Sequence, residues 1–124
     1  MEDIVRSFFA GINGSHPVIP KTISGTLRVD IEGGKRLEQW LVTFNEGVVS
    51  AIESDEPADC IMRADKATFA AIVEGRMNVM AALLRGVIVV EGRTLLMAVF
   101  RRLLVAQVST PDDVETAGYA RRQS

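Results

Sequence analysis

The sequence predicts an α/β (α+β) domain in which helices lie against a sheet, and three observations predict it. From Gly25 onward apolar residues recur at every second position in runs broken by glycine-containing turns, the pattern of an antiparallel meander. From Asp59 to Leu104 the order then reads strand, helix, helix, strand, helix. The two middle helical segments, through Phe69-Ala70-Ala71-Ile72-Val73 and Val79-Met80-Ala81-Ala82-Leu83-Leu84, are apolar around most of their circumference and so need cover on several sides. In a small chain that cover is a second protein layer or an apolar molecule that the protein carries.

Taken in order, Asp3 can cap a short helix whose apolar positions Ile4, Val5, Phe8, Phe9 and Ile12 follow helical spacing, with Gly11 and Gly14 marking its end. His16-Pro17-Val18-Ile19-Pro20 reads as a connecting loop, because each proline lacks an amide hydrogen and pushes its predecessor toward extended backbone. In the first strand Leu27, Val29 and Ile31 share one face and Thr26, Arg28, Asp30 and Glu32 the other. Glu32-Gly33-Gly34-Lys35 turns into a second strand with Trp40, Val42 and Phe44 on one face and Leu41 opposite. Asn45-Glu46-Gly47 is a hairpin signal that leads into a third strand, Val48-Val49-Ser50-Ala51-Ile52. Ser54-Asp55-Glu56-Pro57-Ala58 takes the chain out of the meander, so the next strand, Asp59 to Ala64, need not pair with the third. Asp65 occupies an N-cap position, and Gly75 and Gly86 fall where left-handed residues end helices. Val87 to Gly92 is a further strand. The helix from Arg93 to Leu104 sets Leu95, Leu96, Val99, Phe100 and Leu103 on an apolar stripe with Arg101 and Arg102 toward water.

These 124 residues suit one domain, expected over residues 1–108, followed by a tail, 109–124, with few large apolar residues. With 48% hydrophobic and 24% charged residues the composition is that of a soluble globular protein. A net charge of −2 without a block of cations argues against a nucleic-acid partner. The single Cys60 excludes an intrachain disulfide and a multi-thiolate metal site, and its place in an alternating strand predicts a buried thiol. A cytoplasmic setting is expected, with no secretion signal, membrane span, peroxisomal address or lipidation signal in view.

Catalytic constellations are hard to assemble from what remains. The only histidine, His16, lies in the proline-rich loop, and Ser or Cys nucleophiles commonly need a positioned base. Phosphate-cradling glycine patterns do not occur, and the carboxylate pairs Asp55/Glu56 and Asp112/Asp113 lie in proline-containing loops where solvated charge is commonplace. No enzyme activity, cofactor or metal is expected. Met62, Met77, Met80 and Met97, by contrast, gather in the second half, where flexible thioethers suit either an ordinary core or a surface for varied apolar ligands.

The second half resembles the sterol carrier protein type 2 (SCP-2-like) family of small lipid-transfer domains. The likeness lies in Ala58-Asp59-Cys60-Ile61-Met62-Arg63-Ala64-Asp65 leading into a helix that ends at Gly75, then Met77 to Gly86, then Val87-Ile88-Val89-Val90-Glu91-Gly92 and the closing helix. With the meander it covers about Ile4 to Leu104. The resemblance implies a five-stranded mixed, mostly antiparallel sheet with helices covering one face and an apolar tunnel between them. It implies binding or transfer of fatty acyl chains, acyl-CoA, phospholipid or sterol without covalent chemistry. The opening helix is shorter than in many relatives, and Gly92-Arg93-Thr94 stands where an acidic residue often follows the glycine.

Candidate ligand-binding residues are therefore Phe69, Ile72, Val73, Met77, Met80, Leu83, Leu84, Met97 and Phe100, with Trp40 and Phe44 joining them if their strand face is the covered one. Each suits a plain core equally well. Arg76 or Arg85 could meet a carboxylate or phosphate head group. The expected partners are a lipid or fatty-acyl ligand and, at most, a transient membrane contact. The alternative is an accessory module, a homodimer or a domain docked on a lipid-metabolising enzyme, that closes its apolar surface without an open cavity.

Overall fold

In the computed structural model, which describes residues 3–108, the predicted meander is present. Strands β2 (Gly25–Glu32), β3 (Glu38–Asn45) and β4 (Val48–Glu53) pair antiparallel in sequence order. The β3–β4 turn holds Glu46 at φ 53° and Gly47 at φ 83°. Two successive positive φ values make the turn whose twist matches that of the strands it joins.

Strand β5 (Cys60–Asp65) does leave the meander. It pairs in parallel with β2, from Leu27↔Cys60 to Glu32↔Asp65, and β6 (Ile88–Gly92) returns antiparallel along it. A short strand β1 (Gly14–Ser15) pairs with Val48 and Val49, giving the order β1-β4-β3-β2-β5-β6. The sheet therefore has six strands, where five were expected. β1 escaped the sequence reading because two residues carry no periodicity, and it is held in place by the His16 amide, which donates to the Gly47 carbonyl at 3.0 Å.

Parallel pairing of β2 and β5 requires residues 54–59 to cross the sheet from the end of β4 to the start of β5. They cross on the face away from the helices, where Arg28 Nη1 donates to the carbonyls of Asp55 and Glu56. Leu41 faces that side yet is only 6% exposed. Arg28 also forks onto Asp30, Nε to Oδ1 at 2.8 Å and Nη2 to Oδ2 at 3.1 Å, and Gln39 donates to the same carboxylate. A buried Asp30 is thereby hydrogen-bonded, as buried charge must be.

The opposite face is covered by α1 (Ile4–Gly11), α2 (Lys66–Val73), α3 (Val79–Leu84) and α4 (Thr94–Val108). Asp3 accepts from the amides of Val5 and Arg6, and Asp65 from that of Thr68. At the end of α2 the amides of Gly75 and Arg76 donate to the carbonyls of Ile72 and Ala71; at the end of α3 those of Gly86 and Val87 donate to Leu83 and Ala82. Both ends are the same glycine-closed motif, with Gly75 at φ 80° and Gly86 at φ 76°.

Strand register places Leu27, Val29, Ile31, Trp40, Val42, Phe44, Val49, Cys60 and Met62 on the covered face, all buried. Against them Phe9 of α1 makes a nearly parallel row with rings from other elements, stacking on Trp40 at 4.7 Å and on Phe69 at 5.6 Å between centroids, with Phe100 at 6.4 Å, while Phe8 meets Phe9, Phe69 and Phe100 edge-on. Among the described residues no helix is long and apolar enough to cross a membrane.

Candidate functional site

Two neighbouring apolar clefts open between α4 and the segment that runs from α2 through α3. One, about 270 Å3, is lined by Val79, Met80, Leu83, Val90, Thr94, Met97, Ala98 and Arg101. The other, about 260 Å3, lies between Ile72, Met77, Asn78, Val79 and the α4 residues Arg101 and Leu104. Val79 and Arg101 belong to both walls, so the two clefts are parts of one furrow. Each alone falls just below the range of about 300–1,000 Å3 usual for small-molecule sites.

The furrow exists because α3 is short and set apart. Asn78 caps it by accepting from the Ala81 amide at 3.0 Å, and the left-handed Gly75 and Gly86 turn the chain at either end. Only Val79 and Ala82 of its six residues are buried. The face left over, with Met80 and Leu83, lines one side of the furrow, and α4 supplies the other with Met97 and the small Ala98.

Five of the nine candidate residues line the furrow: Ile72, Met77, Met80, Leu83 and Met97. Phe69 and Phe100 are fully buried in the ring row beside α1. Trp40 and Phe44 do lie on the covered face of the sheet and are buried there. Val73 is half-buried against the core, and Leu84 is 81% exposed and lines neither cleft. Arg76 borders the cleft near Met77 and hydrogen-bonds Glu74, while Arg85 is exposed at the end of α3.

The sequence reading missed Val79, Val90, Ala98 and Arg101 as wall residues. Arg101 is exposed, as its place on the polar stripe suggested, but it also borders both clefts; helical spacing alone gives no sign of that second role. Arg93, where the sequence predicts the closing helix to begin, also fastens that helix to the sheet. Its Nη1 donates to the Ser24 carbonyl at 2.7 Å and its amide to the Asp59 carbonyl at 2.8 Å, tying the start of α4 to the starts of β2 and β5.

The reactive side chains are in structural use. His16 Nε2 lies 2.7 Å from the Ile12 carbonyl and is partly buried; it fastens the loop to the end of α1. Burial pushes the Cys60 thiol up, which disfavours the nucleophilic thiolate. Asp55 and Glu56 contribute backbone carbonyls to the crossing segment. Asp112 and Asp113, like the tail as a whole, lie outside the described residues. Among the described residues no three His, Cys, Asp or Glu side chains come together where a metal could be held.

Residues 19–105 match the model of the SCP-2 sterol transfer family. At the sequence level no curated protein matches. Among solved structures the chain is similar to the crystal structure of sterol carrier protein 2, with 20% identity over 89% of this chain and 97% of that one and a TM-score of 0.65. It is similar to the solution structure of palmitated SCP2L2 from Aedes aegypti, with 23% identity over 82% and 90% and a TM-score of 0.64. The stereoselective inverting sec-alkylsulfatase Pisa1 from Pseudomonas sp. also carries the fold: 21% identity, a TM-score of 0.53, and 64% of this chain against 13% of that one.

Proposed function

Because the chain belongs to the SCP-2 sterol transfer family, we propose that it binds apolar lipid without transforming it, and that the furrow between α3 and α4 receives the acyl chain. The observation that carries this reading is the furrow itself, an apolar opening beside a methionine-rich helix pair in a family of lipid carriers. Met77, Met80, Leu83 and Met97 with Ile72 line it, and Phe69 and Phe100 stand behind as the layer that a longer ligand would displace. Each buried CH2 contributes roughly 0.8 kcal/mol, so about a dozen give useful affinity after the losses of freedom on binding. Arg76 and Arg101, at the rim, are placed to meet an anionic head group. A setting inside the cytoplasm accords with this reading and with the unpaired Cys60.

A second reading is favoured by the stacked rings that already fill the space beside α1 and by the recurrence of the fold as a small part of a sulfatase. In it the domain is an accessory module, self-associated or docked on an enzyme, and the furrow is part of a protein contact. Native mass spectrometry of gently purified protein separates the two. A monomer carrying an apolar adduct of a few hundred daltons, or taking up added palmitate, supports the carrier. An apo dimer that refuses fatty acid rejects it.

A further inference from the structure

The two edges of the sheet are finished differently. At β4 the edge is guarded: β1 pairs with Val48 and Val49, and beyond it Asn13 Oδ1 accepts from the Ala51 amide at 2.8 Å. At β6 it is open. Among the described residues, no hydrogen bond other than those of the β5 ladder reaches the backbone of residues 88–91, although every second residue of an antiparallel edge strand turns both its N–H and its C=O away from its neighbour. Nor does the strand carry the usual protection. Val87-Ile88-Val89-Val90 holds no charge and no proline, and Val89, which pairs with Arg63 on the face away from the helices, is 47% exposed.

We propose that β6 pairs with β6 of a second copy of this chain, antiparallel about a twofold axis through Ile88. The sequence around that residue is self-complementary. One step to either side stand Val87 and Val89, which meet across the seam, and three steps to either side stand Arg85 and Glu91, opposite in charge. The twofold brings Arg85 to the same end of the seam as the partner's Glu91, and does so at both ends. Arg85 is exposed and among the described residues makes no ion pair, while Glu91 has only Arg63, at 3.8 Å. An axis one residue further on, through Val89, would set Arg85 against the partner's Arg93, so charge selects the register. The contact uses the same strand of both copies and is therefore closed at two. Because the axis stands perpendicular to the sheet, both helical layers lie on one face, with the two furrows, each walled in part by Val90, on either side of the seam. The pairing does not depend on what the furrow holds.

Sedimentation velocity of the full chain, from about 5 to about 500 µM, tests the pairing, because so small a seam makes association weak and concentration-dependent. The wild type is expected to pass from monomer to dimer over that range and to stop there. Val89→Glu faces Arg63 within its own chain, which suits the fold, but it buries a carboxylate in the seam and should weaken association more than about tenfold. Ile52→Glu, at a position 54% exposed but on the guarded strand β4, should leave association unchanged. Arg85→Glu and Glu91→Arg, each alone, set like charges together at both ends of the seam and should each weaken association about tenfold. Mixed in equal amounts, the two variants should recover it, because a chain with Glu at both positions then meets a chain with Arg at both. That recovery cannot come from a change in the fold of either chain. A wild type that stays monomeric, or that goes on past two copies, overturns the proposal. So do a mixture that associates no better than its components, an Ile52→Glu protein as weakened as Val89→Glu, and a Val89→Glu protein that associates within about twofold of the wild type.

Discussion

Trp40 Nε1 donates a 2.7 Å hydrogen bond to Glu38 Oε2 on the covered face of the sheet. Glu38 is only 8% exposed, and its other oxygen lies 3.9 Å from Lys66 Nζ at the start of α2. A carboxylate in such a place depends on its partners. Trp40→Phe keeps the ring that stacks on Phe9 and removes the donor, so it should lower stability by about 1–3 kcal/mol. Urea unfolding followed by circular dichroism measures this; a loss below about 0.5 kcal/mol would show that water or Lys66 takes over the bond.

Phe9 is the shared member of the ring row, stacked with Trp40, Phe69 and Phe100. Phe9→Ala should cost about 3–5 kcal/mol, a large part of the stability of a domain this size. A thermal melt of the purified variant is the check, and a melting point close to the wild type would mean that α1 packs far more loosely than it does here.

Gly92 and Gly86 both have positive φ, at 94° and 76°, but a Cβ on Gly86 would meet open space while one on Gly92 would collide with the Asp59 carbonyl oxygen. Gly86→Ala should therefore cost only the left-handed backbone term, about 1–2 kcal/mol. Gly92→Ala should cost clearly more, since it must also part β5 from β6 at the point where α4 begins. Equal unfolding midpoints for the two variants would contradict this.

Glu53 accepts from Arg6 of α1 at 3.0 Å and from Arg36 of the β2–β3 turn at 3.2 Å, and these two hydrogen bonds hold its carboxyl below the ordinary glutamate range. The folded state thus favours the ionised form. The stabilisation is present above the pKa of the unfolded chain and lost as pH falls through the lower folded value. Glu53→Gln should accordingly melt below the wild type at neutral pH and converge with it in acid. Parallel melting curves across that range would remove the pair from the account of acid stability.

Much of this architecture could be read from the sequence because its signals are local. Strand alternation around Val29 and Trp40, the cap at Asp65 and the glycines at 75 and 86 are set by sterics within a few residues. What sequence could not supply depends on residues far apart. The two-residue strand β1 exists only because Val48 and Val49 offer an edge. Arg28 finds the Asp55 carbonyl 27 residues away, and Arg93 the Ser24 carbonyl 69 residues away. At the site, the methionines advertised an adaptable apolar region, but spacing could not separate Met80 and Met97 at the furrow from Phe69 and Phe100 in the ring row. That division follows from how far α3 stands off from α4, a tertiary distance.

The parallel seam between β2 and β5 has a consequence during synthesis. The meander can form as soon as β4 has left the ribosome, yet β2 then waits with one unpaired edge, and with Leu27, Val29 and Ile31 uncovered, until β5, α2 and α4 are made. An open strand edge beside an uncovered apolar face is the surface on which nascent chains aggregate. The newborn protein is thus most vulnerable between the making of its third long strand and its last helix, and conditions that slow translation there should lower the yield of soluble protein more than the same delay placed earlier.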